Sequence, residues 1–170
     1  MKKLVLPALL ALTLAACSST GPENGAASVT DRGTGVATVT AGSASGSGIA
    51  ALTDPNNILS KRSVFFDFDS FVIKQEARAL IEAHARFLVQ NPQMNMLIQG
   101  NTDERGSREY NLALGQKRAD VVKQALMLLG AKESQIESVS LGEEKPRCED
   151  RTENCYAENR RGDMLYTGEF

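Results

Sequence analysis

The sequence predicts an α/β (α+β) sandwich: a mixed sheet of about four strands with two long helices packed on one face. Three observations predict it. Apolar residues recur at spacings of three and four over 73–90 and again over 109–129, the period of an amphipathic helix. Short β-rich runs fall before, between and after them, over 63–69, 94–99, 136–141 and 164–167. The resulting order is β-α-β-α-β-(α)-β, with no internal repeat.

In the first strand run, alternation sets in at Phe66, so Phe66 and Phe68 are expected on one face and Asp67 and Asp69 on the other. The first helix carries its stripe on Ile73, Ala77, Leu80, Ile81, His84, Phe87 and Leu88, and Asn91-Pro92 stops it. The second strand, Met94 to Gln99, runs into a charged stretch from Asn101 to Asn111. A charged loop between a strand end and a helix start is where α/β proteins place binding sites. The second helix presents Asn111, Leu114, Gly115, Arg118, Val122, Ala125, Leu126 and Leu129 on one side and ends at Gly130. After the third strand, 142–153 read as a loop, 156–159 as a helical turn, and Met164 to Thr167 as the last strand.

Composition narrows the function. With 170 residues the chain holds one domain and a tail. A formal charge of −2 lacks the basic footprint of nucleic-acid binders. Trp is absent and aromatic residues make up 5%, which leaves little for a stacking platform. His84 is the sole histidine and lies on an apolar stripe; it reads as a buried, hydrogen-bonded residue. A catalytic triad or a histidine-rich metal site cannot be built from it. The carboxylates Asp67, Asp69, Asp103 and Glu104 lack calcium-loop spacing, so no metal site is assigned. Arg161-Gly162-Asp163 spells an integrin-type tripeptide at a strand entry and reads as coincidence.

Residues 1–16 read as an export signal: Met1-Lys2-Lys3 is cationic, a short apolar run follows, and Leu14-Ala15-Ala16 precede Cys17. The site is similar to a bacterial lipobox, in which Cys17 is acylated and becomes the mature N-terminus. By the same resemblance, Ser18 at the next position favours sorting to the outer membrane. Residues 17–59 are then a lipidated N-terminus and tether, rich in Ser, Gly, Thr and Ala, with a docking segment starting near Ile58 and Leu59. About 30 such residues span roughly 30 Å on average. The folded domain is expected over 60–168. Setting Cys17 aside leaves Cys148 and Cys155, an even pair in an oxidising compartment, and predicts a disulfide between them.

Arg118 sits in the apolar stripe of the second helix, so it must snorkel, meet a carboxylate or await an anionic ligand. Gly115, one turn earlier, costs helix stability and points to close approach of another backbone or a ligand. Asp103, in the loop after the second strand, makes Asp103 and Arg118 a candidate pair for a zwitterion. An internal salt bridge between the two explains the same pattern.

Six motifs carry a family resemblance: Val64-Phe65-Phe66-Asp67-Phe68-Asp69-Ser70, Ala83-His84-Ala85, Gly100-Asn101-Thr102-Asp103-Glu104-Arg105-Gly106, Glu109-Tyr110-Asn111 through Leu114-Gly115 to Arg118-Ala119, Gly142-Glu143-Glu144-Lys145-Pro146, and Asn159-Arg160-Arg161. Spread in order over about 62–166, they resemble the OmpA-like domain family in its peptidoglycan-associated lipoprotein (Pal) branch. The resemblance implies non-covalent binding of the peptide stem of peptidoglycan, with no enzymatic activity and no cofactor. It implies that Asp103 and Arg118 clasp the zwitterionic end of meso-diaminopimelate, that Phe68 and Asp69 form a backbone contact region, and that Asn101 and Asn111 wall the pocket. It further implies TolB and other Tol proteins as partners. Two functional readings follow: a tether between outer membrane and cell wall in the Tol–Pal system of envelope integrity and cell division, or an interaction hub mainly for TolB-type partners.

Three departures from the family pattern stand out. Ser107-Arg108 replaces a common Thr-Pro, the cysteine pair lies between Pro146 and Asn159, and Gly162-Asp163 replaces apolar β-formers, which is expected to weaken the last strand.

Overall fold

A computed structural model describes residues 47–169. The export signal, Cys17 and the part of the tether before residue 47 lie outside the described residues. The elements are α1 (Ser47–Thr53), β1 (Ser63–Phe65), α2 (Arg78–Gln90), β2 (Met96–Asn101), α3 (Arg108–Leu128), β3 (Ile136–Gly142), α4 (Glu153–Asn159) and β4 (Arg161–Tyr166), with short 3-10 turns at Ile58–Ser60, Gln75–Ala77 and Glu133–Gln135. The strands form one mixed sheet in the order β1-β4-β2-β3. β2 and β3 run parallel, and β4 is antiparallel to both β1 and β2.

The two long helices cover one face. On β4, Gly162 faces Val122 of α3, while Tyr166 meets His84 and Phe87 of α2. Gly162, Met164 and Tyr166 alternate onto that same face. The core between the layers contains Val64, Phe66, Ile81, Leu88, Met96, Ile98, Val122, Leu126 and Met164, all essentially fully buried. His84 takes the expected place: its Nε2 lies 2.8 Å from the Lys61 carbonyl oxygen and its Nδ1 2.8 Å from the Tyr166 hydroxyl. A carbonyl only accepts, so Nε2 donates and Nδ1 accepts from Tyr166. Burial pushes its pKa down to about 4.

Three expectations need correction. The packed structure begins ahead of Ser60: Leu52 in α1 is buried, and Arg62 Nη2 donates to its carbonyl at 3.0 Å. β1 ends at Phe65, so Phe68 does not share the face of Phe66; Phe66 is 1% exposed and Phe68 58%. The chain leaves the sheet there because it turns through Asp67–Ser70, with Asp69 in the left-handed region at φ 52°. The last strand starts at Arg161, and Gly162 and Asp163 sit in its paired centre, bonded to β1 on one side and β2 on the other. Pairing on both edges holds β4 through its backbone. Asp163 is satisfied by Arg161 Nε at 2.8 Å, Arg147 Nη2 at 3.0 Å and Ser63 Oγ at 2.6 Å. The Arg161-Gly162-Asp163 tripeptide is therefore buried in a strand.

The Gly115 expectation is met by backbone. A Cβ on Gly100 would lie 1.8 Å from the Gly115 carbonyl oxygen, and one on Gly115 would lie 2.8 Å from that of Gly100. β2 and α3 thus touch backbone to backbone where both lead into the charged loop. Among the described residues, no helix is long and apolar enough to cross a membrane.

Candidate ligand-binding site

The site forms where β2 stops. The parallel register slips between Gly100 and Asn101, so that Asn101 pairs with Gly142, and Thr102 N–H closes on the Gly142 carbonyl at 2.8 Å. This irregularity turns Thr102 and Asp103 away from the sheet. Four residues on, Ser107 caps α3 by accepting from the Tyr110 N–H at 3.2 Å. Between the loop, α3 and the turn after β1 lies a cavity of about 200 Å³, lined by Phe68, Asp69, Thr102, Asp103, Arg105, Gly106, Tyr110, Asn111, Leu114, Arg118 and Arg160.

Asp103 is 3% exposed and Arg118 0%, and both line the cavity. They make no ion pair with each other among the described residues. Asp103 is held by two other arginines: its Oδ2 accepts from Arg105 Nη2 at 2.7 Å and Arg160 Nη1 at 3.1 Å, and its Oδ1 accepts from the Arg105 N–H at 3.1 Å. Burial pushes this carboxyl up, but the hydrogen bonds from Arg105 and Arg160 outweigh it and leave the pKa below the ordinary value. It is ionised at neutral pH. One lone-pair direction on Oδ1 is left.

Arg118 meets carbonyl oxygens. Nε donates to Ser70 O at 2.9 Å, Nη1 to Asn101 O at 2.9 Å and Nη2 to Asp67 O at 3.2 Å. The Phe66 ring lies 5.4 Å from the guanidinium. Burial pulls its pKa down to about 10, against the field of Asp103, so it too is charged at pH 7. Three of five N–H groups are used, leaving one on each Nη. The cation is dissolved in backbone dipoles from the turn after β1 and the end of β2, and has no carboxylate partner among the described residues.

The remaining expected site residues divide. Phe68 and Asp69 line the cavity mouth, and the Tyr110 hydroxyl donates to Asp69 Oδ1, which fixes the left-handed turn. Asn111, in the first turn of α3, lines the cavity, and its Nδ2 donates to Glu143 Oε2 at 2.5 Å. Asn101 does not line it. Its Nδ2 donates to Gln99 O at 3.0 Å, and its contribution is the carbonyl that holds Arg118. The reason is the β2 alternation: a residue still in the strand points away from the turn that opens the site.

Sequence reasoning passed over Arg105 and Arg160, although both lie inside quoted motifs. The Arg105 guanidinium lies 4.1 Å from the Phe68 ring centroid and 4.3 Å from that of Tyr156, stacked with both while it holds Asp103. Arg160 is 5% exposed and also donates to Phe66 O at 3.2 Å. The signal in the sequence is the adjacent arginine pair Arg160-Arg161 at a strand entry. Thr102 Oγ1 and Arg105 Nε are buried and find no partner within the protein, unlike most buried polar atoms. The Cys148–Cys155 disulfide is formed, with the Cα atoms 5.3 Å apart. Among the described residues, no group of three or more His, Cys, Asp or Glu is gathered as for a metal ion.

This is an α/β domain with a buried acid and a buried arginine on one cavity beside the end of β2, a candidate ligand site. The OmpA family profile matches residues 65–160, more than half of the chain, and the chain belongs to that family. Among similar proteins, the peptidoglycan-associated lipoprotein of Pseudomonas putida is 38% identical over 161 residues, covering 92% of this chain and 93% of the relative. That of Legionella pneumophila is 36% identical over 170 residues, covering 96% and 94%. The crystal structure of the peptidoglycan-associated lipoprotein from Burkholderia pseudomallei superimposes with a TM-score of 0.67 at 55% identity, over 68% of this chain and 98% of that one. The C-terminal domain of Helicobacter pylori MotB shares the fold at 21% identity, with a TM-score of 0.58 over 63% and 84% of the two chains.

Proposed function

We propose that this chain is a peptidoglycan-associated lipoprotein that holds the outer membrane to the cell wall. It is anchored by lipid on Cys17, with its domain in the periplasm, and binds the peptide stem non-covalently. Asp103 takes the ammonium and Arg118 the carboxylate at the free end of diaminopimelate. The observation that carries this reading is Arg118: a charged, buried guanidinium on a cavity wall, without a carboxylate partner among the described residues and with an N–H left on each Nη. Those two N–H groups match a carboxylate end-on. Asp103, ionised and on the same cavity, supplies the opposite charge. The names of the similar proteins support the same reading, and binding of this kind needs no catalytic group.

Co-sedimentation with purified sacculi tests it. The wild-type chain is expected in the pellet, and the Asp103→Ala, Arg118→Ala double variant in the supernatant, with circular dichroism checking that the variant is folded. Equal pelleting of a folded variant would refute the assignment. A second reading, a hub for TolB-type partners of the Tol–Pal system, is favoured by one feature. Phe68, Phe71, Val72 and Tyr110 stand exposed around the turn after β1 and the start of α3, an apolar lip suited to a protein surface. Weak sacculus binding with intact TolB binding would select it.

A further inference from the structure

The acid half of the cavity presents a problem of charge. Asp103 carries one negative charge and already meets two guanidiniums, Arg105 and Arg160. With Arg118 on the same cavity, an arriving ammonium would face three guanidiniums against two carboxylates, Asp103 and, at the mouth, Asp69. Such a site repels the positive end of the ligand.

We infer that Glu153 is the positioning residue that keeps Asp103 able to bind a cation, and so sets the preference of this site for a zwitterion. Its Oε1 accepts from Arg160 Nη2 at 2.7 Å, and its Oε2 lies 3.3 Å from Arg105 Nη1. The four groups close a ring: Asp103 Oδ2 to Arg105, Arg105 to Glu153, Glu153 to Arg160, and Arg160 back to Asp103 Oδ2. Two carboxylates now match two guanidiniums. Each arginine is shared, so neither fully neutralises Asp103, and the lone pair left on Oδ1 keeps its attraction for an ammonium. Glu153 also fixes the outer ends of both guanidinium planes, which orients the fork that holds Asp103.

Glu153 is itself held in place. It lies between Cys148 and Cys155, whose disulfide closes the segment. Thr152 caps α4, with its Oγ1 accepting from the Cys155 N–H at 3.4 Å. Asn159 Oδ1 accepts from the N–H of Arg147 at 2.7 Å and of Cys148 at 3.1 Å, and its Nδ2 donates to Cys148 O at 2.7 Å. The cysteine pair that departs from the family pattern therefore frames the residue that balances the site.

This inference rests on the diaminopimelate reading, and the test separates the two. Titration calorimetry measures binding of a stem peptide containing diaminopimelate and of the same peptide containing 2-aminopimelate, which keeps the terminal carboxylate and lacks the second ammonium. Wild type is expected to prefer the diaminopimelate peptide. Glu153→Gln, an isosteric change at a side chain 62% exposed, is expected to bind that peptide about fivefold more weakly, the equivalent of about 1 kcal/mol for a partly exposed ion pair. Its affinity for the aminopimelate peptide should stay within about twofold of wild type. A loose or misfolded site would weaken both peptides equally. Equal weakening, or unchanged diaminopimelate affinity in the variant, overturns the role of Glu153 and leaves the clamp standing. A wild type that binds neither peptide overturns the clamp, and this inference with it.

Discussion

Arg118→Lys keeps the positive charge on α3 and removes the planar fork. In the wild type the guanidinium bonds three carbonyl oxygens, at 2.9, 2.9 and 3.2 Å, from Ser70, Asn101 and Asp67. These come from the turn after β1 and from the last residue of β2, so Arg118 bolts one to the other. A lysine ammonium is a point charge on a shorter reach and serves one of the three. Hydrogen bonds from a charged donor contribute roughly 1.5–3 kcal/mol each, and water can replace part of the loss at the cavity edge. The expected destabilisation is therefore about 2–4 kcal/mol, set against a total of about 5–15 kcal/mol for an ordinary domain. In urea this moves the unfolding midpoint down by roughly 1–2 M with the slope unchanged. Affinity for a diaminopimelate stem peptide should fall at least about tenfold, because the end-on pair of N–H groups is lost. A variant with the wild-type urea midpoint would refute the account of Arg118 as a bolt between that turn and β2. Retained affinity would refute its reading of a carboxylate.

Two further outcomes are expected. Gly115→Ala gains helix propensity of about 1 kcal/mol, but its Cβ would sit 2.8 Å from the Gly100 carbonyl oxygen and 2.3 Å from Ser140 Oγ. Overpacking against backbone costs about 1–3 kcal/mol or more, so its melting temperature should fall; a rise would mean that α3 lifts from β2 freely. Acid should destabilise the fold through His84, whose pKa is pushed down to about 4 from 6.5. Below pH 6.5 the unfolded chain takes up a proton that the folded one refuses, so stability falls with pH and levels off near 4, by about 3 kcal/mol in all. Unfolding free energies across this range check it, and a His84→Gln variant should lack that slope.

The site illustrates which of its parts a linear reading can reach. Asp103 and Arg118 were visible because a charge in an apolar stripe, or at the end of an apolar strand, demands an explanation wherever its partners lie. Which partners answer was not visible. An internal bridge and an open clamp predict the same stripe, and in the structure the bridge is not formed: Asp103 turns to Arg105 and Arg160, and Arg118 to carbonyls. Backbone carbonyls leave no mark on side-chain identity, so no sequence pattern names Ser70 or Asp67 as the acceptors for Arg118. Phe68 was misplaced for a related reason. Alternation continues in the letters after Phe65, but the ladder ends there because β1 is a short edge strand whose chain must turn to form the cavity wall.

The sequence by itself determined the order of elements from β1 onward, the helix stripes, much of the core and the need for close approach at Gly115. Each of these depends on local periodicity or on a residue whose own cost has to be offset nearby. Only the tertiary structure decided that β4 is a central strand despite Gly162 and Asp163, that Arg160, just past the end of α4, reaches across to Asp103, and that Glu153 closes the ring behind them. Those contacts join residues 57 and 48 positions apart, Asp103 with Arg160 and Arg105 with Glu153. Charge pairing at such separation is set by how sheet and loops bring side chains together, and the chain carries no period that records it.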